Sequence, residues 1–268
     1  MPQDVPAPVL RNIDLGHGNF LLELASPAQA SEVEAGQFFM LGVPGAEILL
    51  RRPFSVCGVR DTFPDAPAGA LQFLYRIVGK GTSLMASLRA GAVVQTLGPL
   101  GHGFHPPAPD ALPVFVAGGI GSAPFPALAR ALAGKVRAPW MLYGARTAGD
   151  LPLLDWFRQH CERVEVTTED GSLGRKGRVT ELLEELLERA APGGLQLYAC
   201  GPNPMLAAVL RLVRAHRMPC DLSLEAPMAC GFGVCLGCVV PCHGEDGGTR
   251  YERVCVEGPI LRAERLAW

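Results

Sequence analysis

A chain of 268 residues, 49% hydrophobic and 19% charged, carries material for two globular domains, or for two with a small appendage. Its net charge of -2 leaves no basic footprint for nucleic acid or an anionic membrane surface. No apolar run reaches the ~18 residues of a membrane span, and the N-terminus MPQDVPAPVLRN has neither the basic nor the apolar region of a secretory leader, so a cytoplasmic protein is expected.

Residues 1–105 read as all-β. Short apolar runs, QFFMLGV, LQFLYRIV and AVVQTLG, alternate with Gly, Pro and Asp punctuation, and one short helix is expected near TSLMASLRA. That spacing suggests a small antiparallel barrel. Within it, Arg52, Pro53, Phe54 and Ser55 form one motif, and Tyr75 and Arg76 precede Gly79, Gly81 and Thr82 at a helix start. An arginine beside a helix N-terminus can hold a pyrophosphate through its fork of donors and the backbone N–H groups. Ser55 can donate a hydrogen bond to a flavin ring nitrogen. Each piece alone is equally well a surface ion-pair residue or a capped turn.

HPPAPDALP, at 105–113, is a Pro-rich connector. Beyond it strands and helices alternate. VFVAG, WMLYGAR, RVEVTTED, LQLYACG and CDLSLEA read as five strands, separated by the helical PFPALARALAG, LPLLDWFRQH, RVTELLEELLERA and NPMLAAVLRLVRAH. This is the pattern of a parallel sheet with helices on both faces and ligands at the carboxyl ends of the strands. Two loops stand there. AGGIGSAPF places Gly119, Gly121 and Pro124 as G-x-G-x-x-P, without the third glycine of the usual dinucleotide fingerprint. CGPNPM places Cys200 and Gly201 at a second strand end. Together they point to one cleft, although two plain strand–helix turns would look the same. Cys200 can shape hydride-transfer geometry there or be a small buried residue. Glu169 and Asp170 suit a ribose 2′-OH and so favour NAD; Arg175 and Lys176 argue for NADP.

Nine cysteines are present, and five fall between 230 and 255. Such crowding in a cytosolic protein speaks for metal or redox chemistry. Cys230, Cys235 and Cys238 have C-x4-C-x2-C spacing, with Cys255 seventeen positions on; this is the spacing of plant-type [2Fe–2S] centres. Gly231, Gly233 and Gly237 permit close approach of backbone N–H groups to sulfur. A zinc site would prefer two tight C-x2-C hooks. Cys242 competes for the fourth place, but RVCVEGP reads as an extended segment able to return to the loop, whereas VVPCHGEDGG reads as a hairpin turn. The apolar Phe232, Val234 and Leu236 in the loop suit a partner interface.

RPFS, YRIVGKGT, GPLGHGF, GGIGSAP, YGAR, CGPNPM and MACGFGVCLGC…C come in the order seen in ferredoxin reductase-like flavoproteins. With the terminal cysteines, the chain most resembles the electron-transfer subunits of NAD-dependent dihydroorotate dehydrogenases, over essentially its whole length. It departs at His102, where the family commonly has Asn, and in the extra Cys242. The resemblance implies an FAD-binding β-barrel domain (1–105), an NAD-binding α/β domain (106–222) and a small [2Fe–2S] domain (223–268). It implies FAD at Arg52, Pro53, Phe54, Ser55, Leu74, Tyr75, Arg76, Gly81 and Thr82. It implies the cluster on Cys230, Cys235, Cys238 and Cys255. The implied partner is an FMN-containing catalytic subunit, in a heterotetramer of two of each, from which electrons pass through the cluster and FAD to NAD+. No acid–base constellation stands outside the cofactor loops, so the pyrimidine chemistry is placed in that partner and no catalytic side chain is assigned. Competing readings are an FAD/[2Fe–2S] subunit of a ferredoxin:NAD(P) oxidoreductase or hydrogenase complex, and a zinc-stabilised binding module.

Overall fold

Alternating apolar residues drive the first hundred residues into one antiparallel ribbon. The computed structural model describes residues 2–44, 48–59, 62–63, 65–191 and 193–268. β1 (Gln3–Gly16) turns through His17 into β2 (Asn19–Ala25); Gly16, His17 and Gly18 all have positive φ, which glycine adopts without a Cβ penalty. There follow α1 (Pro27–Glu32), β3 (Phe38–Gly42), β4 (Arg52–Ser55), β5 (Gly58–Val59), β6 (Ala70–Arg76), α2 (Lys80–Ala86) and β7 (Val93–Leu100). The strands lie in the order β4-β3-β7-β1-β2-β6-β5. Its two ends are consecutive in the chain. Between them the Val56 N–H donates to the Gln37 carbonyl at 3.0 Å and the Cys57 N–H to the Gln72 carbonyl at 2.8 Å, which curls the ribbon into a barrel. Leu22, Leu24, Phe39, Leu41 and Phe73 fill it. α2 starts two residues before the expected Thr82 because the Thr82 hydroxyl accepts the N–H groups of Val78 and Gly79 at 2.9 and 3.2 Å, capping the turn from inside.

The second half is a sheet in the order β11-β10-β9-β8-β12-β13-β16. Its five central strands are the expected ones: β8 (Leu112–Gly118), β9 (Trp140–Ala145), β10 (Arg163–Thr168), β12 (Leu195–Cys200) and β13 (Cys220–Ser223), all parallel. The short parallel β11 (Arg175–Lys176) extends one edge, and β16 (Ile260–Arg262) pairs antiparallel at the other. Strand alternation sorts the faces. Phe115, Met141 and Tyr143 meet α3 (Phe125–Leu132) and α4 (Leu154–His160). Val114, Val116 and Leu142 meet α5 (Val179–Leu187) and α6 (Asn203–Ala215). The last segment adds a two-stranded hairpin, β14 (Val239–His243) and β15 (Thr249–Arg253), before β16 returns to the parallel sheet. Among the described residues, no helix is long and apolar enough to cross a membrane.

Candidate functional site

Two cavities lie at the carboxyl ends of the parallel strands. One, of about 510 Å³, is walled by Pro53, Phe54 and Ser55 of β4, Leu74, Tyr75 and Arg76 of β6, Thr82, Gly121 and Cys200. Mixed aromatic and small polar lining is what a flat heteroaromatic ligand needs. Arg52 lies alongside: a Cβ on Gly81 would stand in ordinary contact, 3.5 Å from Arg52 Nε, so the guanidinium rests against the start of α2. The barrel residues named from the sequence are thus gathered on one wall and its rim.

The other cavity, about 770 Å³, is lined by Gly118, Gly119, Ile120, Arg146, Asp150, Glu169, Arg178 and Met205, among others. The glycine turn after β8 forms a 3-10 turn, Gly119–Ser122, held by Tyr143. The Tyr143 hydroxyl lies 2.8 Å from Ser122 Oγ, 3.1 Å from the Gly119 carbonyl and 3.0 Å from the Pro152 carbonyl. The two strand-end loops touch: a Cβ on Gly121 would sit 2.5 Å from the Cys200 carbonyl and 2.6 Å from Gly201 Cα. Gly201 supports this contact without lining either cavity. Glu169 lines the wall, but the Asp170 carboxylate is taken by the Ser172 N–H and hydroxyl at 2.9 and 2.7 Å. Arg175, one of the two residues that argued for NADP, is ion-paired with Glu185. Arg76, Val78 and Ile120 line both cavities.

Sequence reasoning missed part of the wall. Residues 224–228, Leu-Glu-Ala-Pro-Met, together with Pro259, close the smaller cavity from the cysteine side. They match no ligand motif; the only signal was their place between a strand end and Cys230. Asp150, ion-paired with Arg76 across the two domains, was also missed.

The cysteine loop places its thiols in two pairs. Cys230 lies beside Cys235, and Cys238 beside Cys255, whose N–H donates to Cys238 Sγ at 3.4 Å. Burial raises the Cys230 thiol. The N–H groups of Cys235, Phe232 and Val234 and the Cys235 thiol outweigh it and bring the pKa down to about 6. Burial and the neighbouring Cys238 and Cys230 push Cys255 up to about 12, against the opposing N–H of Gly233. Among the described residues, no three His, Cys, Asp or Glu side chains converge on one point as around a single metal ion. A two-iron centre asks instead for two thiolates on each iron, and the paired thiols with inward N–H groups fit it.

Two local expectations are corrected. Cys255 is not in an extended segment but in a turn at 254–257, closed by the Glu257 N–H donating to the Arg253 carbonyl at 2.9 Å. Cys242 is not in the hairpin turn but on β14, opposite Arg250. Its buried thiol is raised to about 11 by burial and by Glu252, and its charged neighbours are Glu252, Arg265 and Arg250.

Comparison with known proteins follows the same division. The family model described as "Iron-sulfur cluster binding domain of dihydroorotate dehydrogenase B" matches residues 225–267, and "Oxidoreductase NAD-binding domain" matches 115–211. A Geobacillus thermodenitrificans protein named dihydroorotate dehydrogenase B (NAD(+)), electron transfer subunit, is 39% identical over 251 residues, 90% of each chain. The chain belongs to the dihydroorotate dehydrogenase B electron transfer subunit family. An Aquifex aeolicus homolog of these subunits is 32% identical over 268 residues, 99% of each chain. Among solved structures, that of an NADH-dependent reduced ferredoxin-NADP oxidoreductase superposes with a TM-score of 0.82 and 26% identity, covering 98% of this chain and 90% of that one. A Neisseria gonorrhoeae ferredoxin NADP+ reductase with bound FAD and NADP shares the fold, with a TM-score of 0.65 over 80% of this chain and 91% of its own and 19% identity. The electron transfer subunit family therefore accounts for the barrel, the nicotinamide sheet and the cysteine loop of this chain in one architecture.

Proposed function

We propose that this chain is the electron-transfer subunit of an NAD-dependent dihydroorotate dehydrogenase, an oxidoreductase component serving pyrimidine biosynthesis. One observation carries the reading. The three sites are contiguous and in order: the approach to the cysteine loop walls the smaller cavity, and Arg76, Val78 and Ile120 are shared with the larger one. An iron–sulfur cluster exchanges single electrons, nicotinamide exchanges a hydride, and a flavin does both.

The residues divide the work. Cys230, Cys235, Cys238 and Cys255 hold the cluster. Pro53, Phe54, Ser55, Leu74 and Tyr75 seat the isoalloxazine end of FAD, with the Ser55 hydroxyl toward a ring nitrogen. Arg52, Arg76, Gly81 and Thr82 take its pyrophosphate. Gly119 lies on the wall that takes NAD+, Gly121 and Cys200 border the flavin beside it, Gly201 supports their contact, and Glu169 receives the NAD+ ribose. The working domains are 1–105, 106–222 and 223–268. Phe232, Val234, Leu236 and Tyr251 are exposed around the cysteine loop and suit the face of an FMN-bearing catalytic subunit, assembled two of each in the cytoplasm.

The test is anaerobic purification with and without a co-expressed dihydroorotate dehydrogenase catalytic subunit, followed by dihydroorotate-dependent reduction of NAD+. NADH formed only with the partner present supports the reading. A second reading is favoured by the TM-score of 0.82 to the NADH-dependent ferredoxin-NADP oxidoreductase. Reduction by ferredoxin, with none by dihydroorotate, would replace the first reading by that one.

A further inference from the structure

β15 ends in Arg253, a side chain with no place in the cavities. Its Nη1 donates to the Gly233 carbonyl, inside the cysteine loop, at 3.2 Å. Its Nε donates to Glu257 Oε2 at 3.2 Å, and its backbone N–H donates to the same oxygen at 2.7 Å. Gly233 has φ +90°, and a Cβ there would stand 3.1 Å from Arg253 Nη1 and 2.6 Å from Val256 Cγ2. Only glycine lets the guanidinium reach the loop backbone.

The peptide that receives the guanidinium joins Gly233 to Val234. Its other end is the Val234 N–H, which points at the Cys230 thiol, while the Gly233 N–H points at Cys255. A cation bonded to a peptide carbonyl polarises that peptide and strengthens its N–H as a donor. Donors aimed at cluster sulfur favour the form carrying the extra electron. The guanidinium charge acts in the same direction, and the Glu257 carboxylate opposes it.

We propose that Arg253 is a positioning residue that raises the reduction potential of the cluster, by holding and polarising the peptide between Gly233 and Val234, and that Glu257 sets the potential back. The inference rests on the cluster assignment proposed above.

The experiment is an EPR-monitored redox titration of the complex with its catalytic subunit, comparing wild type with Arg253→Gln, Arg253→Lys and Glu257→Gln. Arg253→Gln should lower the one-electron reduction constant about fivefold, about 40 mV at 59 mV per tenfold. Glu257→Gln should raise it. Arg253→Lys keeps the charge as a single-point donor and should recover most of the loss. Arg253→Gln within about 18 mV of wild type, a twofold change, would overturn the proposal. So would equal shifts in the Gln and Lys variants. If Arg253→Gln loses its iron, Glu257→Gln decides alone: an unmoved or lowered potential overturns the proposal. A wild-type protein without a [2Fe–2S] signal would overturn the cluster assignment and this inference together, whereas a normal signal with unmoved potentials removes only the role of Arg253.

Discussion

Cys200 carries no charge at neutral pH. Burial raises its thiol to about 12, Glu225 adds to the rise, and a hydrogen bond with Ser223 opposes it. A protonated buried thiol is no nucleophile, so what it offers is shape. It ends β12 on the wall of the smaller cavity, and its carbonyl fills the space a Cβ on Gly121 would take. Hydride transfer depends on reacting atoms held ~3–3.5 Å apart, and a ~1 Å misplacement can cost ~100-fold. Cys200→Ala should therefore slow single-turnover reduction of the flavin by NADH about tenfold and leave the bound flavin content unchanged. An unaltered rate would make Cys200 a packing residue only. Its position at a strand end opening a helix was legible in CGPNPM. Its contact with Gly121 was not, because two loops about eighty residues apart meet only when β8 and β12 pair.

The β14–β15 hairpin is held to the C-terminal segment by the Ala267 N–H, which donates to the Pro241 carbonyl at 3.0 Å, and by one buried carboxylate. Glu252 is 4% exposed and accepts Arg250 Nε at 2.9 Å and Arg265 Nη2 at 2.7 Å. Burial pushes its pKa up, but the Arg265 and Arg250 hydrogen bonds outweigh this and hold it below the ordinary 4.5. A carboxylate with a depressed folded pKa stabilises the fold above its ordinary titration range and loses that contribution as pH falls through the depressed value. Glu252→Gln should cost about 1–3 kcal/mol near neutral pH, less than a wholly buried pair because both arginines are half-exposed. The gap from wild type should close in acid, as measured by thermal unfolding at falling pH. A gap that stays constant with pH would assign the cost to packing instead. Elements of this size divide in how they read from sequence. α5 and α6 were plain because their apolar residues recur at helical spacing over several turns. β1 was not, since Pro6 and Pro8 interrupt it, and they are tolerated by pairing whose register the sequence does not carry. The turn at Cys255 was read as extended because its closure depends on Arg253 meeting Glu257, a side-chain match that periodicity does not register.

At the scale of the whole molecule, the order of the sites was legible and their mutual contact was not. Motifs marked the barrel wall, both glycine loops and the four cysteines, because phosphate, flavin and iron each demand particular residues at short spacing. The wall at 224–228 and the Arg76 pairing with Asp150 arise where domains meet, and nothing local demands them. The docking of the cysteine loop on the barrel is of the same kind. Gly231 has φ +80°, and a Cβ there would overlap Met40 Cγ and stand 2.9 Å from Met40 Sδ. Met40 is wholly buried on β3, so the loop, rather than the barrel, must give way. Gly231→Ala adds about 1–2 kcal/mol of backbone strain at positive φ before any overlap, and 1.4 kcal/mol is tenfold in a docking equilibrium. The variant should retain its flavin and be reduced by NADH as fast as wild type, since neither cavity loses a lining residue. Dihydroorotate-dependent reduction of NAD+ by the complex should fall, by at most about tenfold, with iron content measured alongside to separate undocking from loss of the cluster. If reduction by NADH falls in step, the loop and the nicotinamide cavity form one mechanical unit, and electron entry cannot be weakened at Gly231 without weakening exit as well.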